Sequence, residues 1–142
     1  MSLGTYAPGE VSINVAGHIV SGYTESSFVD IEFGNDRITM EKGADGEVAR
    51  VITEDDSAMI TIRLQQTSPS NDVFSALFDA DIITKAGAFV IGVKDNLGST
   101  TFLCDAAWIT KLPSVSFSNG IEQREWAIQC GSLKAAHVGG NQ

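Results

Sequence analysis

The sequence predicts a mainly β fold, a single-domain β-sandwich or barrel with one α-helix and a projecting β-hairpin. Apolar residues alternate with polar ones along most of the chain, which is the period of half-buried strands. Only one stretch, residues 71–84, places apolar side chains at helical spacing. The 142 residues are 43% hydrophobic and 19% charged, enough for one core, and they show no internal repeat and no low-complexity linker. Residues 1–142 are therefore expected to form one domain.

The elements follow in order. Val11, Ile13 and Val15 alternate with Ser12 and Asn14, and Ile19 and Val20 return after a turn at Ala16 and Gly17. Val29, Ile31 and Phe33 alternate with Asp30 and Glu32, so one face of that strand meets a core and the other meets water or a channel. Two extended runs flank Gly43-Ala44-Asp45-Gly46, whose residues tolerate positive φ, and residues 36–57 read as a long hairpin. Its apolar residues are sparse and its charges many, so it is expected to project and to need a partner. Ala58, Ile60, Ile62 and Leu64 alternate with Met59, Thr61 and Arg63 in the cleanest strand of the chain.

Ser70 is expected to cap the helix, with Asp72 in its first turn and Val73, Phe74, Leu77 and Phe78 on its buried face. A hairpin turning at residues 95–98 joins Phe89, Ile91 and Val93 to Phe102 and Cys104. The last strand carries Trp126, Ile128 and Cys130 on one face, and residues 131–142 read as a loose tail. Trp108 and Trp126, both flanked by apolar residues, are expected in the core or at an interface, with the core favoured.

Charge and composition exclude several functions. Nine Lys and Arg against 18 Asp and Glu give a net charge of -9, which disfavours tight nucleic-acid binding. The imbalance is concentrated in residues 25–56, where ten acids, beginning at Glu25, face Arg37, Lys42 and Arg50. The N-terminal segment lacks a basic and apolar leader pattern, and no apolar run is long enough to span a bilayer, so neither membrane insertion nor ordinary secretory export is expected. Cys104 and Cys130 lie in separate apolar stretches without metal-ligand spacing and read as buried free thiols of a reduced protein.

Catalysis needs a nucleophile, a base and an orienting group, yet the chain has only His18, in an expected turn, and His137, in the expected tail. Nucleophile-elbow, phosphate-loop and dinucleotide motifs are absent. Asp79 and Asp81, and the run Glu54-Asp55-Asp56, lack the spacing of a calcium loop. Asp30 and Glu32 share a strand face but read as exposed acids rather than a glycosidase pair. The chain is thus expected to be no enzyme and to hold no cofactor or metal.

The run of residues 36–50, with its charged Gly-Ala-Asp-Gly-Glu turn, precedes the alternating strand of residues 58–64 and then Thr67-Ser68-Pro69-Ser70-Asn71-Asp72. Asp105-Ala106-Ala107-Trp108-Ile109 and Glu125-Trp126-Ala127-Ile128 follow near the end. In motif and order the chain resembles the tail tube proteins of contractile-tailed bacteriophages, from about Val11 to Gly140. The resemblance implies hexameric rings that stack into the inner tail tube, with six inner sheets closing into one β-barrel through which the genome passes. It implies kinship with pyocin and type VI secretion tubes. The implied partners are other copies of the chain, the sheath, the baseplate hub, the tape measure and the tail terminator, with DNA only in transit. The implied location is the virion tail, assembled in the bacterial host cytoplasm. On this reading Arg37, Glu41, Lys42, Asp45, Glu47, Arg50, Glu54, Asp55 and Asp56 form an inter-subunit or inter-ring hairpin. Asp30, Glu32, Thr61 and Arg63 are candidate lumen-facing residues, with Arg63 expected to pair with a carboxylate instead of gripping DNA. A secretion-type tube carrying protein cargo, or none, is the alternative.

Overall fold

The computed structural model describes residues 4, 11–20, 29–34, 36–54 and 56–140. Their elements run β1 (Val11–Val15), β2 (His18–Ile19), β3 (Val29–Phe33), β4 (Ile38–Lys42), β5 (Val48–Ile52), β6 (Ala58–Gln65), α1 (Ser70–Thr84), β7 (Phe89–Asp95), β8 (Thr101–Lys111) and β9 (Gln123–His137). Seven strands form one antiparallel sheet in the order β2-β1-β7-β8-β9-β6-β3, while β4 and β5 form a separate two-stranded sheet. The protein is mainly β with one helix, as the alternation predicts.

Alternation decides which side of each strand is buried. Ala58, Ile60, Ile62 and Leu64 of β6 are buried, and the residues between them are half-buried. The same face collects Ile13 and Val15 from β1, Ile91 from β7, Phe102 and Ile109 from β8, and Trp126 and Ile128 from β9. The sheet curls around this core: Phe33 of the edge strand β3 comes within 6.3 Å, centroid to centroid, of Phe102 on β8. A groove of about 410 Å³ between Val11 of β1 and Val29, Ile31 and Phe33 of β3 marks where the curl stops short of closure.

The helix packs on the core through Phe74, Val73, Leu77 and Phe78. Phe74 is fully buried and meets Trp126 edge-on at 5.4 Å, the arrangement an aromatic quadrupole favours. The indole Nε1 donates to Asn71 Oδ1 at 2.9 Å, and Asn71 Nδ2 donates to the Gln65 carbonyl at 2.9 Å, so the helix start is fastened to β9 and β6 together. Ser70 is the first helical residue, not its cap. The position before it is Pro69, with no side-chain cap bond, and the hydroxyl of Ser68 accepts from the Ser70 amide. Proline lacks an N–H and suits a helix start, which moves the hydroxyl one step back. Lys85 ends the helix in the left-handed region at φ 59°.

Four further expectations need correction. Cys104 and Cys130 are a disulfide, not free thiols, with Cα atoms 6.2 Å apart. Register irregularities around Ala106 bring these two inward-facing side chains together across β8 and β9, and bulges of this kind leave no mark in the local alternation. Residues 131–137 are no tail: β9 continues to His137, which pairs with Thr101. Trp108 is 38% exposed and lies on the outward face, where Gly131 leaves it room; a Cβ on that glycine would meet the indole at 2.8 Å. His18 stands in β2 rather than in a turn, within 3.0 Å of the buried Ser70 hydroxyl.

Candidate functional site

Two surfaces gather the residues singled out by sequence. The first is the hairpin β4–β5. All ten of its strand residues are exposed. The register pairs Ile38 with Ile52, Met40 with Arg50 and Lys42 with Val48, so these six share one face. Thr39, Glu41, Ala49 and Val51 share the other. Gly46, at φ +89°, supplies the positive φ of the turn, and Asp45 steadies it by accepting from the Glu47 amide. Arg37 closes the base: its Nε donates to the Thr53 carbonyl at 2.9 Å, and its own carbonyl accepts from the Thr53 amide at 2.7 Å. Asp56 lies beside Arg37 in a small cleft with Leu133 and Val138, while Glu54 is exposed. Asp55 and Glu25 lie outside the described residues.

A two-stranded ribbon that exposes Ile38, Met40, Val48 and Ile52 between 55% and 69% buries little of its own apolar surface. Isolated two-stranded ribbons are marginal in water, and clustered apolar side chains mark contact surfaces. Lys42 and Arg50 lie on this apolar side, and the acid Glu41 on the other, a separation that only the register reveals.

The second surface is the outward face of β3, β6 and β9. Asp30 lies opposite Thr61, Thr61 opposite Ala127, and Arg63 opposite Glu125. Arg63 Nη1 donates to Asp30 Oδ2 at 2.5 Å, and its Nε lies 3.4 Å from Glu125 Oε2. The hydrogen bond to Asp30 is the main cause of a guanidinium pKa raised above its ordinary value; partial burial opposes it, and the charges of Asp30 and Glu125 add to it. Glu32 lies opposite Met59, which in turn faces Gln129. This face therefore carries three acids around one paired cation. Glu125 was visible in sequence only as a neighbour of Trp126; its place beside Arg63 depends on the β6–β9 register.

Among the described residues no group of three or more His, Cys, Asp or Glu converges as a metal site. The arrangement is one of exposed ribbon, curled sheet and outward polar face, the layout of a tail-tube-type structural protein. The chain belongs to the family described as bacteriophage PhiTE tail tube protein, whose model matches residues 5–138. It is a structural protein, not an enzyme. It is 36% identical over 146 residues to the structural protein ORF10 of Pseudomonas phage KPP10, covering 97% of this chain and 84% of that one. Its fold is similar to the tube-terminating cap of the anti-feeding prophage, at TM-score 0.67 and 14% identity, over 94% of this chain and 92% of the other. It is also similar to a chain of the sheath-tube complex of an extracellular contractile injection system, PVC, in the extended state, at TM-score 0.62 and 16% identity over 94% and 93%.

Proposed function

We propose that this chain is the subunit of a phage inner tail tube, self-assembling into hexameric rings that stack into a conduit for genome ejection. The observation that carries this is the hairpin β4–β5, fully exposed along both strands with an apolar, cationic face, in a chain of the tail tube family. Such a face is stable in water when it is covered, and in a homo-oligomer another copy covers it. Arg37, Glu41, Lys42, Asp45, Glu47, Arg50, Glu54, Asp55 and Asp56 then belong to the contact between subunits or rings.

The outward face of β3, β6 and β9 is the surface assigned to the lumen, with Asp30, Glu32, Thr61 and Arg63 on it. Its excess of acids repels phosphates and lets DNA slide, while Arg63 is held by Asp30 and Glu125 and does not grip the genome. Sheath, baseplate hub, tape measure and terminator are the remaining partners. The location is the virion tail, with assembly in the host cytoplasm. Likeness to contractile injection-system structures supports a second reading, a tube of that kind carrying protein or nothing.

Negative-stain microscopy of the concentrated protein, with baseplate components supplied as nuclei, tests the assignment. Hollow tubes with sixfold rings are expected. Single particles under every condition would overturn it.

A further inference from the structure

The longest connection among the described residues, 112–122 between β8 and β9, carries four large apolar side chains in water: Leu112 is 51% exposed, Val115 62%, Phe117 83% and Ile121 66%. Beneath them Arg124 stacks its guanidinium 5.7 Å from the Phe117 ring, and its buried Nη1 has no hydrogen-bond partner among the described residues. A buried donor without an acceptor is costly, and a guanidinium is best satisfied by a carboxylate. Lys111 adds a second cation at the edge of the patch.

The complementary chemistry lies on the helix. Asp79, Ile82 and Ile83 stand three and four residues apart, on one face of α1. All three are exposed, Ile82 to 62% and Ile83 to 80%, and the last turn contains no basic residue. These two surfaces are separate on the subunit. Gln66 accepts from the Glu122 amide, and Asn71 bonds the Gln65 carbonyl, so the end of the connection lies beside the start of α1. The 15-residue helix then carries Ile82 and Ile83 about 20 Å away. Two different, complementary surfaces held apart in this way make a head-to-tail contact, which joins successive copies.

We infer that the end of α1 in one copy docks on the 112–122 connection of the next, with Ile82 and Ile83 against Val115, Phe117 and Ile121 and with Asp79 paired to Arg124. This contact rests on the self-assembly reading and is separate from the hairpin. It brings a carboxylate to the Arg124 guanidinium and covers the two apolar patches in one step.

Cysteine crosslinking in assembled tubes tests it. A chain carrying both Ile83→Cys and Phe117→Cys, treated with a short bis-maleimide, gives a ladder of covalent multimers, and neither single variant does. Asp79→Lys lowers the tube yield about tenfold, and adding Arg124→Glu restores most of it. Tubes without a ladder, or a ladder that requires Met40→Cys instead of Phe117→Cys, overturn the contact and leave the tube assignment standing. A wild-type chain that forms no tube with any nucleus removes both. Asp79 lies on an exposed helix face, so its variant and the cysteine pair remain decisive even where Arg124→Glu unfolds.

Discussion

Arg63 stands between carboxylates on two neighbouring strands, and its side chain is 22% exposed against 55% for each partner. Solvent screens such a pair, so Arg63→Met is expected to cost less than about 1 kcal/mol. Arg63→Glu is different, because it sets a third carboxylate against Asp30 and Glu125; a loss of about 1 kcal/mol is expected in urea unfolding, together with weaker ring assembly. Unchanged stability and assembly would remove Arg63 from any role in the proposed tube. The raised guanidinium pKa adds a pH statement. Its stabilisation is complete below the ordinary arginine pKa and is lost only as pH rises through the higher folded value, so this pair imposes no pH dependence across the neutral range. The sequence made Asp30, Glu32, Thr61 and Arg63 legible as one polar side by parity alone. It did not reveal Glu125, since a partner across two strands depends on register, and register is fixed by distant packing.

At the scale of elements, the strands with uninterrupted alternation were legible and the irregular ones were not. β6 and the hairpin β4–β5 stand where the alternation and the Gly-Ala-Asp-Gly turn put them. β8 and β9 defied the same reasoning. Their pairing slips at several places between Leu103 and Lys111, which hides the strand over residues 131–137, turns Trp108 outward and brings Cys104 to Cys130. That crosslink closes a sequence separation of 26 residues across the two longest strands. Cys104→Ser is expected to cost about 3 kcal/mol by releasing the unfolded chain. The check is urea unfolding with and without reductant: reductant lowers the wild-type midpoint and leaves that of Cys104→Ser in place. A wild-type midpoint indifferent to reductant would mean that the bond does not stabilise the fold.

At the scale of the whole molecule, the packed body and the hairpin are separate, and on the proposed function the first serves folding and the second assembly. The core cluster draws on β1, β6, β7, β8, β9 and α1 and takes no residue from β4 or β5. Met40→Ser with Ile52→Ser is therefore expected to leave the urea midpoint of the subunit within about 0.5 kcal/mol of wild type, while tubes fail to form in the microscope. Equal tube yield from this variant would show that the apolar face of the hairpin is not a contact. Net charge acts at this scale too. Copies carrying -9 each repel one another, and salt screens that repulsion.

The strand order carries a consequence for how the protein is made. β6 lies in the sheet between β3 and β9, yet β9 begins 58 residues after β6 ends, with α1, β7 and β8 between them in the chain, and β1 waits similarly for β7.

 Strand β9 is thus made after every other described strand, and until residues 123–137 are synthesised the β3–β6 pair has one edge without its neighbour. Pairings this distant in sequence are slow to form, because the loop must close before any contact rewards it. The outward polar face of β3, β6 and β9 is therefore complete only once β9 has been made. A chain that stops short of residue 123 lacks Glu125 and leaves Arg63 with Asp30 alone of its two carboxylate partners.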